Sequence, residues 1–517
     1  MGFDPYHNVI HTAGGQLSPK APTSAADVRR IVGEAIASQS ASGIVVNFHG
    51  GLVSASDALE TARDRLYPLY SGADAYPIFF VWESGFLEAP FNNLQEIGKE
   101  ALFQEFVKKV AEWVVKKLGG GSVLTAAALA KSGESPKQVR ADISGWFASA
   151  GPRSKLPDKL KQFRAARRVP VTAFRAALPQ IDEAALAAEI EADLRTDRKM
   201  QAALTAAQAG VHPQRRALRS AAGGSRVSAT SQISKEAAAR LFAPQPARRA
   251  QLPLGGWLQA AKVIASIVLR VLSRIHDGRD HGKYVTFAEE VLRELYVDKI
   301  GRTVWWDRMK GDTADAFNTG DEFGGTVFLR ALHDQLPASG APRITLIGHS
   351  TGAIYIGNFL KAAAQWAPDQ HFDVIFEAPA ATHDFLAAVL EEHASRIDRI
   401  RAFAMSDARE RDDVLVPVVY PASLLYFVAG LLEGEPDQPL IGMQRFLDDS
   451  VYGAADFPNV DRCRKYFATD PKSLVWSPQL GPAAPQGSQS DGKHHQDFDD
   501  VDPLTIASVA FIIKNGY

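Results

Sequence analysis

Ile344-Thr345-Leu346-Ile347-Gly348-His349-Ser350-Thr351-Gly352-Ala353-Ile354 is the most constrained stretch of this chain. Its β-branched apolar start predicts a strand, and the pattern from Ile354 to Ala364 predicts a helix. The five residues between them must therefore turn the chain tightly. Glycine two positions either side of Ser350 has a physical cause, because a side chain there would collide where strand and helix cross closely. A serine held on such a turn keeps its hydroxyl exposed, as a nucleophile requires. Ser350 is the candidate nucleophile.

Five more runs share this strand character, at 43–48, 77–82, 372–377, 400–405 and 473–476. Helical patterns follow at about 56–67, 94–117, 287–297, 325–335, 351–364, 383–395 and 503–513. The alternation predicts an α/β fold, a mainly parallel central sheet with helices on both faces. One interval breaks it. Residues 119–284 open with Gly119-Gly120-Gly121-Ser122 and contain helix-like patterns without a strand, which predicts a helical cap inserted between the two parts of the sheet domain, 1–118 and 285–517.

Residues 151–250 hold about 19 Lys and Arg against about 8 Asp and Glu, so this insertion is basic and the remainder acidic. The charge predicts a solvated face, with an anionic membrane surface or partner as the alternative. Residues 211–250 are its expected mobile portion. Within the insertion, 257–275 is apolar except for Gln259, Lys262, Ser266, Arg270 and Arg274, a narrow stripe on one side of a helix. That predicts a helix buried against the main domain, with a lid or membrane-surface helix as the alternative.

The chain has 517 residues, 46% hydrophobic and 22% charged, which suits a protein with a large buried core. A formal net charge of −2 and the lack of a recognised binding module argue against nucleic acid as a partner. The single cysteine, Cys463, excludes an intramolecular disulfide and predicts a reducing compartment. The start, Met1-Gly2-Phe3-Asp4-Pro5-Tyr6, carries no secretory pattern, so cytoplasmic residence is the expectation.

A serine hydroxyl needs a base to take its proton, a group to orient that base, and donors for the oxyanion. Three segments offer them. Phe48-His49-Gly50-Gly51-Leu52 follows the first strong strand; Ser406-Asp407-Ala408-Arg409-Glu410-Arg411-Asp412-Asp413-Val414-Leu415-Val416-Pro417 follows the 400–405 strand; Lys493-His494-His495-Gln496-Asp497-Phe498-Asp499-Asp500 follows the last. His494, His495, Asp497 and Asp499 are also metal-ligand types, but no second segment supplies converging ligands, so neither a metal nor another cofactor is expected.

These motifs resemble the α/β-hydrolase superfamily in its serine-hydrolase, lipase or esterase-like branch, over residues 40–118 and 285–517. The resemblance implies a triad in the chain order Ser, acid, His. Asp413, followed by apolar residues and Pro417, is similar to the acid of a D-x-V-V-P loop; Asp412, Asp407 and Asp384 remain alternatives. His495, three residues before Phe498-Asp499, is the implied base, with His494 the alternative. The oxyanion donors would be the Thr351 amide and that of Gly51 or Leu52, although Leu52 stands where some relatives have a third glycine. The implied activity is cleavage of a carboxylic ester or thioester, from a small molecule or a lipid, through an acyl-enzyme. The alternative is a binding protein on this fold whose basic cap docks an anionic surface or partner. The aromatic run Phe79, Phe80, Trp82, Phe86 and Phe91 is expected to be mainly core.

Overall fold

The computed structural model describes residues 2–18, 23–51, 53–83, 88–119, 181–211, 231–242, 254–301, 305–417, 419–482 and 484–517. Among these, eight strands form one sheet: β1 (Val9–Ala13), β2 (Gln16–Leu17), β3 (Ile44–Phe48), β4 (Tyr76–Glu83), β5 (Ile344–His349), β6 (Phe372–Glu377), β7 (Ile397–Met405) and β8 (Leu474–Ser477). Their spatial order is β2-β1-β4-β3-β5-β6-β7-β8. Every neighbouring pair is parallel except the β1–β2 hairpin at one edge. Gly14 and Gly15, both at positive φ, make that reversal.

The six expected strands are all present, within three residues at either end. β1 and β2 were not anticipated, because Val9-Ile10-His11-Thr12-Ala13 is short and interrupted by polar residues, and it follows a one-turn helix, Pro5–Asn8. The helix Ala25–Ala37 was missed too. It carried a readable signal, a capping box in which Ser24 and Asp27 satisfy each other's amides ahead of Val28, Ile31, Val32 and Ala35.

Strand periodicity divides the core between the two sheet faces. Val46, Phe48, Ile78, Phe80, Leu346, Val374 and Phe376 pack with the helices Gly324–Gln335 and Gly352–Trp366 on one face. Val45, Phe79, Val81, Ile347, Ile375, Phe403 and Val475 pack on the other with Ala58, Ala62, Leu66 and Tyr70 from the helical stretch 55–72 and with the C-terminal helix Pro503–Asn515. Phe79, Phe80 and Trp82 are thus core, while Phe86 lies outside the described residues.

The described parts of 119–284 are helical: Glu183–Leu194, Arg198–Val211, Lys235–Leu241 and Leu254–His276. Leu186, Ile190, Leu194, Met200 and Leu204 are buried in the same core as Val107 and Val110 of the helix Ala101–Gly119. Most of the basic stretch, including 212–230 and 243–250, lies outside the described residues.

Arg270 and Arg274 of the polar stripe on Leu254–His276 face the helix Lys283–Leu295, while Lys262 is exposed. Arg270 bonds Glu290 and Glu294 at 2.8 Å each, and Arg274 pairs with Glu289 at 2.7 Å and Glu290 at 3.1 Å. These two charges are matched by carboxylates on the neighbouring helix, and Ile264, Val268, Val271 and Leu272 of the same helix are buried. None of the described helices is long and apolar enough to cross a membrane.

Candidate active site

The candidate groups gather at the carboxyl ends of the parallel strands, where the loops of an open α/β sheet converge. Ser350 follows β5 with φ at +54°, a left-handed conformation costly for a residue with a Cβ, of order 1–3 kcal/mol. Two main-chain bonds from the end of β6 hold it there. Its N–H donates to the Glu377 carbonyl at 2.8 Å, and its own carbonyl accepts from the Ala380 N–H at 3.0 Å.

The flanking glycines are required by contact. A Cβ on Gly348 would lie 2.7 Å from the Gly352 carbonyl group, and one on Gly352 would run into the carbonyl oxygen of Phe48 at the end of β3. The helix can therefore start directly over the strand ends, with Ser350 and Thr351 at its positive pole.

The β3 loop sits beside this turn. The Gly51 N–H points at Thr351 Oγ1, 3.3 Å away, and a Cβ on Gly51 would stand 2.6 Å from that oxygen. One expected oxyanion donor is thus next to Thr351, bonded to its hydroxyl. Leu52, the other candidate on this loop, lies outside the described residues. His49 braces the loop. Its Nδ1–H donates to the Gly50 carbonyl at 2.7 Å, and its Nε2 accepts the Trp82 N–H at 3.0 Å. Burial pushes its pKa down to about 4, so the ring stays neutral and this tautomer is held.

His495 is buried, and neither ring nitrogen has a hydrogen-bond partner. Burial, then the neighbouring His349, holds its pKa well below the ordinary imidazole value. A buried, unpartnered imidazole wants a reason, and proton transfer is one. Asp413 reaches this segment: Oδ2 accepts the His495 main-chain N–H at 3.1 Å, while Oδ1 meets the His494 ring at 2.9 Å. His494 is 66% exposed. The structure therefore brings Asp413 to the histidine pair but joins it to the ring of His494, and no hydrogen bond links Ser350 Oγ to either ring.

The other carboxylates have separate engagements. Asp407 pairs with Arg411 at 2.9 Å and accepts the Tyr426 hydroxyl at 2.5 Å; burial opposes its charge, but Arg411 and Arg445 keep its pKa low. Asp412 is exposed at the end of its short helix. Asp384 accepts from Gln438 and Asn459 at 2.8 Å each. Asp497 caps the amides of Lys493 and His494. No group of three metal-ligating side chains converges among the described residues.

Two residues escaped the sequence reading. His349, inside the motif itself, is buried and directs Nε2 at the His495 carbonyl, 3.0 Å away. Glu377, paired with it in register across β5 and β6, is fully buried, and its carboxyl is raised well above the usual range by burial and then by Asp499 and Asp500. A period of two places both on the face of the sheet that the C-terminal helix covers, a signal readable once the strands are assigned.

Ser350 and Thr351 line a narrow cleft walled by Phe91, Ile300, Trp305, Trp306, Met309, Leu424, Phe427, Val428 and Leu432. Its walls come from the helix Glu88–Lys99, from residues 300–301 and 305–309, and from residues 424–432, and no described residue of 119–284 lines it. Trp306 is fixed by donating to Glu433 at 2.7 Å. The walls beside the strained serine are thus mostly aliphatic and aromatic. No protein-family model, curated protein or solved structure matches this chain.

Proposed function

We propose that the protein is a serine hydrolase that cleaves carboxylic esters or thioesters whose acyl or alcohol part is apolar, including lipid esters. The observation carrying this reading is Ser350 itself, held at positive φ between β5 and a helix N-terminus and opening onto a cleft of aliphatic and aromatic side chains. In this mechanism His495 takes the proton from Ser350 Oγ as it attacks the carbonyl carbon. The oxyanion forms against the Thr351 amide and, once the Thr351 hydroxyl gives way, the Gly51 amide. The tetrahedral intermediate expels the alcohol or thiol, which receives the proton. Water, deprotonated by the same histidine, then releases the acid.

The α/β-hydrolase assignment belongs to this proposal, supported by the sheet and by the chain order of Ser350, Asp413 and His495. In it, segment 119–284 would serve as a cap domain. A fluorophosphonate probe tests the activity. Native protein should label at Ser350, whereas heat-denatured protein and Ser350→Ala should not. Failure of the native protein to label would sink the proposal, as would undiminished ester turnover by Ser350→Ala.

A further inference from the structure

The residue just before Ser350 has a role that the triad does not use. β5 alternates its side chains between faces, so His349 points to the side where the C-terminal helix packs. The segment entering that helix carries His495. Here the His349 ring meets it twice: Nε2 lies 3.0 Å from the His495 carbonyl oxygen, and Nδ1 lies 3.5 Å from Asp499 Oδ2. A carbonyl oxygen only accepts, so Nε2 carries the proton and donates. The His349 and His495 rings lie 5.1 Å apart, centroid to centroid.

We propose that His349 is a positioning residue, whose Nε2–H holds the His495 carbonyl so that the base is fixed relative to Ser350. This role rests on the serine-hydrolase reading; the tether itself rests on geometry alone. The logic is one of distances. His349 ends β5 and Ser350 follows it directly, both held to the end of β6, so a bond from the His349 ring transmits that rigidity to the His495 main chain. Asp413 takes the N–H of the same residue. His495 is thereby held at its N–H by the loop after β7 and at its carbonyl by β5. Its own ring is left without a bond, free to serve Ser350.

Three variants and two readouts test this. His349→Phe keeps a ring but loses the donor, His349→Gln keeps an N–H that can reach the carbonyl, and His349→Asn is too short to reach it. A loosened base should lower kcat by about 10- to 100-fold with KM within twofold, since misplacement by about 1 Å costs that much. We expect this loss in His349→Phe, substantial recovery in His349→Gln, and faster amide exchange over residues 494–500 in His349→Phe but not in His349→Gln. Should the Phe variant fail to fold, His349→Asn carries the same expectations. Wild-type kcat and unchanged exchange in the donorless variant would overturn the proposal, and so would a Gln variant as impaired as the Phe variant. If the wild-type protein hydrolyses no ester, the serine-hydrolase reading fails by itself. The exchange comparison still supports or overturns the tether.

Discussion

The Asp413 carboxylate accepts the main-chain N–H of His495 at 3.1 Å, which locks the loop after β7 to the loop after β8. The bond is to backbone, while the ring that Asp413 meets is that of His494. With His495 as base, His495→Ala should lower kcat/KM by about 10³- to 10⁴-fold, and His494→Ala, exposed, by less than about tenfold. Asp413→Asn should fall between them. Kinetics on one p-nitrophenyl ester rank the three; the reverse order of the two histidines would make His494 the base.

The pH dependence of turnover follows from burial of His495. The active form is the neutral ring, populated above the folded pKa, and burial holds that pKa well below 6.5. kcat/KM should therefore stay level as pH falls through 6.5 and decline only at lower pH. A profile of kcat/KM between about pH 4 and 8 checks this; a single inflection at or above 6.5 contradicts it.

Glu377 makes the opposite demand on stability. Its folded pKa is raised, so its contribution is complete below the unfolded value of 4.5 and is lost as pH rises through the folded one. Glu377→Gln removes that loss. The variant should gain on the parent by up to about 1.4 kcal/mol per pH unit across that window. Urea unfolding at pH 5 and pH 8 measures the difference, and a gap that does not change with pH would refute the assignment.

Gly352 tolerates no side chain. Its Cβ would meet the Phe48 carbonyl, a backbone atom that cannot rotate away. Gly352→Ala should cost about 1–3 kcal/mol and lower Tm correspondingly. Calorimetry that finds an unchanged Tm would mean that strand and helix can separate freely here.

Phe427 lies on the wall of the cleft that contains Ser350. Truncation to Ala removes apolar contact from the substrate, so KM for an octanoyl ester should rise about 10-fold or more while the acetyl ester changes little. Equal effects on both esters would assign Phe427 to the scaffold rather than to recognition.

Much of this architecture is legible in the order of the residues, because its causes are local. Short apolar runs with β-branched or aromatic residues marked β3 to β8, and the two glycines about Ser350 reported a crossing of main chains five residues wide. β1 escaped because its five residues carry little periodicity; it becomes a strand by pairing with β4, some 70 residues later.

The identity of each site partner was set by contacts between residues far apart in the chain. Asp407, Asp412 and Asp413 look alike in sequence, yet Tyr426 and Arg411 take Asp407, solvent takes Asp412, and the histidine segment takes Asp413. Arg270 and Arg274 on Leu254–His276 found their partners when Glu289, Glu290 and Glu294 met them from another helix. The cleft likewise draws walls from residues 91, 300–301, 305–309 and 424–432. Steric exclusion along the backbone acts over a few residues and can be read from their order, whereas the charge, burial and neighbours of a side chain exist only once distant segments have packed.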